Sequence, residues 1–291
     1  MVNQVRLAKS FLSLVTPIVT SSAIAPLVLS IAASPSLAAT LASSEARFNI
    51  DNFSHNPLGI QSLTAAKSVA IATSGEVTAE NKVFSTIVVN PSPRSTFIDN
   101  SSFSRANGDG DDYFGLADSL TEVIGYNFLI GNGETFSFDF KGFLNLKTSI
   151  DSPQNESASA AETLSLQLYD STNESNWIPL DSFGLSGALT TPGNDDFLRF
   201  NNSASISLDP SRTSFITSFG ETKEFAKASV KGDFSRTFDS STSLTLVEAK
   251  RSQASVGVPE PSSTIASLLL GLAALGYKIR SRAFKAKLKI T

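Results

Sequence analysis

The chain has no cysteine and one histidine among 291 residues. The first absence excludes a disulfide framework, so stability has to come from a hydrophobic core even outside the cytoplasm. The second makes a zinc site built from His and Cys untenable. His55, in Asn52-Phe-Ser-His55-Asn-Pro57, is the sole imidazole, and no G-x-S-x-G elbow accompanies it. It reads as a turn residue rather than part of a hydrolase triad. Charge is missing locally as well. Residues 1–38 contain no acid, and Ile265 to Tyr277 carries no charge at all.

Those two stretches organise the chain. Arg6 and Lys9 precede an apolar run, densest from Ala23 to Ala33, which leads into Ser36-Leu37-Ala38-Ala39. A basic start, an apolar middle and small residues at the exit predict a signal helix in residues 1–38, cut by signal peptidase near Ala38 or Ala39. Pro17, Pro26 and Pro35 argue against an uncleaved spanning helix there. At the other end, residues 262–279 give 18 residues, or about 27 Å of helix against about 30 Å of hydrocarbon. The apolar residues run all round that segment, which is unlike an amphipathic surface helix. Lys278, Arg280, Arg282, Lys285, Lys287 and Lys289 follow with no acid among them. Such a cluster marks the cytoplasmic side of a spanning helix, so residues 39–258 are expected outside the membrane.

Directly before that helix stand Val258, Pro259, Glu260 and Pro261. The prolines hold Val258 and Glu260 extended and delay the helix until Ser262 or Ser263 can cap it. Motif, short helix and basic tail, in that order at a C-terminus behind a signal peptide, resemble the PEP-CTERM sorting signal of bacteria. The resemblance covers about 34 residues, 258–291. It implies an exosortase, a membrane-embedded cysteine transpeptidase-like enzyme, that recognises and removes the tail. Rival signals fail on residues: a glycolipid-anchor signal ends in its apolar run, whereas this chain ends in charges, and no LPxTG-type motif occurs. Ser263, Ser267 and Gly271 lie four apart, a small-residue stripe able to dock on another helix. DYFGLADS at 112–119, FSFDF at 136–140 and TPGNDDF at 191–197 are similar to a recurrent cyanobacterial ectodomain type bearing this signal.

The exported stretch has its own character. Only 15 of the 23 Lys and Arg lie in it but 26 of the 27 acids, a net charge of −11, so nucleic acid is a poor partner. Phe136, Phe138 and Phe140 alternate with polar residues, and so do Leu164, Leu166 and Leu168, Ile206 and Leu208, and Leu244 and Leu246. Period two over short runs, with Ser and Thr filling the other face, predicts strands with one buried side. Gly131-Asn132-Gly133, Pro192 to Asp195, Asp209-Pro210 and Lys231-Gly232-Asp233 read as turns between them. The expected fold of residues 39–250 is mainly β, an antiparallel β-sandwich or jelly roll. Polar segments 151–162 and 250–258 read as loop and linker, the linker proper being 251–257.

Candidate chemistry is sparse. In Asn107-Gly-Asp109-Gly-Asp111-Asp112, oxygen side chains fall at positions 1, 3 and 5 of a calcium-type loop, and Asp118 falls at position 12. Position 6 is Asp112 where such a loop needs Gly, so an acidic turn is the competing reading and no cofactor is expected beyond that calcium candidate. Asp111, Asp112, Asp195 and Asp196 are the carboxylates open to a glycosidase, in turns where acids are ordinarily solvated. Asn-x-Ser triplets at Asn52, Asn100, Asn155, Asn173 and Asn201 are read as chance in a Ser-rich bacterial chain. The expectation is an exported, non-enzymatic envelope or matrix protein with exopolysaccharide as partner. The alternatives are a permanently anchored adhesin or carbohydrate-binding module and, third, a polysaccharide-active enzyme.

Overall fold

Alternation decides the architecture. In the computed structural model, which describes residues 40–258, Phe136, Phe138 and Phe140 are buried while Ser137 and Asp139 between them remain partly exposed. The same rule, carried along the chain, gives eleven strands. They are β1 (Thr40–Asp51), β2 (Gly59–Val88), β3 (Phe97–Ile130), β4 (Thr135–Ser149), β5 (Ser157–Asp170) and β6 (Ile178–Thr191). β7 (Phe197–Asn202), β8 (Ile206–Leu208), β9 (Ser214–Ser218), β10 (Lys223–Thr237) and β11 (Thr242–Gly257) complete the set. Among the described residues the only helical pieces are two 3-10 turns, Pro93–Ser95 and Pro210–Arg212. All pairing is antiparallel, in one sheet ordered β7-β6-β5-β11-β3-β1-β4-β10-β8, with β2 added on β3 and β9 on β10.

β2 and β3 are too long to lie in one layer, and they fold over. Ile98–Gly108 of β3 pairs with β1, whereas Phe114–Ile130 pairs with β11, and β2 follows both stretches. The fold lies where register slips at Ala72, Ser74 and Glu76, and where Gly75 (φ 117°) faces Gly110 (φ 104°). A Cβ on Gly75 would lie 2.1 Å from the Asp109 carbonyl oxygen, so no other residue fits the crossing. Beyond the fold the two halves of β3 face each other, with Ser104 Oγ and Ser119 Oγ 3.1 Å apart. The sheet therefore has two opposed halves, β1-β4-β10 on one side and β11-β5-β6 on the other. It nearly closes where Phe200 of β7 stacks on Phe215 of β9 at 5.1 Å.

Four readings of the sequence are corrected here. Asn107–Asp112 is not a loop but part of β3, because its glycines serve the fold-over. Residues 157–162 open β5; only 151–156 are loop. Residues 251–257 are no linker: they are the end of β11, hydrogen-bonded to β3 on one edge and β5 on the other. Lys231-Gly232-Asp233 is interior to β10, with Gly232 under the Phe140 ring rather than in a turn. In each case Gly, Ser or charge mimicked a turn while the backbone found sheet partners on one or both edges. The expected signal helix and spanning helix lie outside the described residues; among those described, no helix is long and apolar enough to cross a membrane.

Inside, three layers succeed one another along the strands. A large apolar cluster holds Phe48, Phe53, Phe128, Phe136, Phe138, Phe140, Phe183 and Phe234 with Leu from β4, β5, β6 and β11 and Ile from β1, β3 and β8. A small one near the fold-over holds Ala42, Ala106, Tyr113, Ile150, Ala158, Ala254 and Val256. Between them lies a polar belt, described next.

Candidate functional site

The two ends of the described domain meet at one residue. Thr40, the first residue of β1, is fully buried, and its Oγ1 accepts the Tyr113 hydroxyl at 2.6 Å. Val258, just after β11, donates its N–H to the Tyr113 carbonyl at 3.1 Å. Tyr113 itself is buried, and its ring lies flat against Gly108, where a Cβ would be only 1.9 Å from Cε2. Burial pushes its hydroxyl above the ordinary tyrosine range. Among the described residues, strand therefore runs from within two residues of the expected signal cut to Gly257, next to the first residue of the sorting motif. Of the motif, only Val258 is described. Pro259, Glu260 and Pro261, helix 262–279 and the tail cations Lys278, Arg280, Arg282, Lys285, Lys287 and Lys289 lie outside the described residues.

The belt is the second constellation, and sequence reasoning missed it. Ser44 of β1, Asn100, Ser102, Ser104, Ser119 and Thr121 of β3, Glu162 of β5, and Glu248, Lys250 and Ser252 of β11 are all buried. They bond across the two sheet halves. Ser102 Oγ meets Ser252 Oγ at 2.6 Å, and Ser104 Oγ donates to the Ser252 carbonyl at 2.9 Å. Glu162 Oε2 accepts from Ser44 at 2.6 Å and Ser252 at 2.5 Å. Glu248 accepts from Lys250 Nζ at 2.7 Å and, through its other oxygen, from Asn100 Nδ2. Glu162 Oε1, Asn100 Oδ1 and Thr121 Oγ1 have no hydrogen-bond partner. Burial pushes the Glu162 carboxyl up to about 8, against the lowering effect of the two serines and of Lys250. Burial likewise raises Glu248 and lowers Lys250, each opposed by the charge of the other. A signal was present: Ser, Glu and Lys stand in phase with the buried Leu244, Leu246, Ala254 and Val256 of β11, but polar residues are ordinarily assigned to the wet face.

The remaining candidates scatter. Asn107 and Asp118 do not converge, because they stand on the outer faces of opposite halves of the folded sheet. Asn107 accepts from Arg105 Nε at 3.1 Å and Asp118 holds Arg251 through both oxygens, at 3.1 and 2.9 Å. Asp109 also lies on β3, as does Asp111, of whose side chain nothing is described. Among the described residues no group of three His, Cys, Asp or Glu side chains is placed to hold a metal. Asp196 is drawn to Glu224 rather than to Asp195: burial first, and then the neighbouring Glu224 carboxyl, raise it above the usual range. Glu224 is itself buried, bonded to Thr148, Thr191 and the Gly220 N–H beside a depression of ≈ 340 Å³ lined by Pro192, Asn194 and Thr222.

His55 lies in the bend after β1, its Nδ1 2.8 Å from Ser54 Oγ and its Nε2 3.2 Å from Glu134 Oε2. The Ser54 hydroxyl is pinned by the Thr135 carbonyl and the Ser137 N–H, which makes this string a clip from the bend to β4. Asn100, one of the Asn-x-Ser triplets, is buried in the belt and closed to any glycan. No family model matches the chain, and neither a curated protein nor a solved structure matches it.

Proposed function

We propose that the chain is an exported envelope or extracellular-matrix protein, delivered by a cleaved signal peptide and released from the membrane by exosortase processing of a PEP-CTERM signal. On this reading the ectodomain is a non-enzymatic antiparallel sandwich of jelly-roll type that associates with exopolysaccharide. The observation that carries it is the Tyr113 junction. Thr40 and Val258 are each bonded to Tyr113, so the described sheet has its first and last residues beside one another and next to the two expected processing segments. Strand β11, locked between β3 and β5 up to Gly257, leaves no slack for a protease inside the domain. Pro259-Glu260-Pro261 follows directly in the sequence, and its prolines disfavour a helix there, which suits an exosortase cleft.

The test is the pair of termini of native mature protein, read by mass spectrometry. The expected N-terminus is residue 39 or 40, and peptides containing Lys285, Lys287 or Lys289 should be missing. Replacing Pro259, Glu260 and Pro261 by alanine should leave the exported protein in the membrane fraction at its full mature length. Recovery of Lys289 in wild-type protein at its final location would overturn release and establish permanent anchoring.

A further inference from the structure

One carboxylate in the belt touches both an amide and an amine. Glu248 Oε1 accepts from Lys250 Nζ at 2.7 Å, and Glu248 Oε2 accepts from Asn100 Nδ2. Lys250 and Glu248 come from β11, in one half of the folded sheet, and Asn100 comes from β3 in the other. Asn100, Glu248 and Lys250 are 0%, 1% and 1% exposed, so water competes for none of the three. Asn100 Oδ1 makes no hydrogen bond that would hold the amide in its resting form. A half-turn about Cβ–Cγ of Asn100 exchanges Nδ2 and Oδ1 with no change in shape and brings the carbonyl oxygen onto Glu248.

We propose that Lys250 Nζ and Asn100 Cγ join in an intramolecular isopeptide bond, with Glu248 as the catalytic residue that moves the protons. The neutral Lys250 amine attacks Asn100 Cγ, and the carbonyl electron pair moves to Oδ1, which the Glu248 carboxylic acid protonates. The amine proton passes through Glu248 to Nδ2, the Cγ–Nδ2 bond breaks, and ammonia leaves as the carbonyl re-forms and returns the Oδ1 proton to Glu248. One C–N bond forms and one breaks, one ammonia is lost, and no oxidant or co-reactant is consumed. The chemistry needs an uncharged amine beside an uncharged acid. Burial pushes both groups that way, lowering Lys250 and raising Glu248. The linkage would tie β3 to β11 across the sheet halves, the place a disulfide takes in a chain that has cysteine. It stands independently of the sorting reading, since it needs only the folded domain.

The experiment uses the full chain, purified folded at neutral pH, unfolded in guanidinium and digested with trypsin. The expected product is a single species joining peptide 95–105 to peptide 237–251, uncut at Lys250. Its mass should be lower than the sum of the two peptides by one ammonia, about 17 Da. Asn100→Ala, Lys250→Met and Glu248→Gln should each abolish it, and in the Asn100 and Glu248 variants trypsin should again cut after Lys250. Separate recovery of the two peptides from folded wild-type protein overturns the proposal, whatever the variants do. Linkage persisting in Glu248→Gln overturns the role of Glu248.

Discussion

The phenylalanine layer and the polar belt sit side by side on the same strands, yet they hold the sheet together by opposite rules. In the first, Phe48, Phe140 and Phe183 pack with ring centroids 5.0–6.3 Å apart, and Phe138 stacks on Phe234 at 5.0 Å. Such contacts are worth much in total but little in direction, and a neighbouring ring can stand in for a displaced one. In the belt each side chain has a named partner, so a two-residue slip of β11 would set Glu248 where Lys250 or Leu246 belongs. Burying a carboxylate without its donor costs several kcal/mol, about the stability of many domains. The apolar layer therefore supplies the bulk of the stability, and the belt fixes the register of β11 against β1, β3 and β5. β11 shows both rules in one strand: Leu244 and Leu246, then Glu248, Lys250 and Ser252, then Ala254 and Val256.

The largest expected effect tests the apolar side of this contrast. Phe140→Ala removes a ring that touches both Phe48 and Phe183, and should cost about 3–5 kcal/mol in denaturant unfolding. Ser102→Ala in the belt loses one hydroxyl pair and should cost about 1 kcal/mol. Equal costs at the two positions would erase the distinction between the layers.

What the sequence showed of this arrangement follows the same division. Phe136, Phe138 and Phe140, and Leu164, Leu166 and Leu168, were legible because an apolar residue at every second position has one reading. Ser102, Ser104, Ser119 and Ser252 obey the same period but look like a solvated face, because their inward partners come from strands remote in sequence. For that reason the 251–257 stretch looked like a linker. The fold-over of β2 and β3 was illegible for a different cause: Gly75 and Gly110 signal a turn, and only the pairing of both long strands shows that the chain bends without ending. The convergence of Thr40 and Val258 on Tyr113 depends on that bend.

A second prediction sharpens the belt side. Glu162 is fully buried and its carboxyl titrates near 8 in the folded state, against an ordinary value near 4.5 when unfolded. Its pKa is raised on folding, so the unfolded chain loses this proton first as pH rises. Folding stability is greatest below the unfolded value and declines from about pH 5 to pH 8, by up to about 1.4 kcal/mol per pH unit. Its surroundings are Ser44, Ser252, Lys250 and Glu45, and the Lys250 charge only partly offsets the burial. Glu162→Gln keeps the shape and an acceptor for the serines but has no proton to lose. Its stability should therefore decline less across that window than that of wild type, the remaining decline belonging to Glu248, which burial also raises, and should exceed wild type at pH 8. A wild-type curve that rises from pH 5 to pH 8 would show that Glu162 ionises freely and that the belt admits water.

The smallest effect belongs on the outer face of the same β3–β11 pair, where the belt's rule should fail. Asp118 and Arg251 stand one residue out of phase with the buried Ser119 and Lys250 and point to solvent, with side chains 28% and 55% exposed. The pair is bidentate, yet water screens it, and Asp118→Ala should cost about 0.2–1 kcal/mol in denaturant unfolding, less at high salt. The same substitution reads out calcium. Because Asp118 is occupied by Arg251 and faces away from Asn107, millimolar calcium should leave the melting temperature of wild type and variant alike unchanged. A calcium-dependent rise in wild type that Asp118→Ala abolishes would mean that the cation displaces Arg251. An outer-face carboxylate would then be a ligand site, and the contrast would run between a sealed interior and a working surface.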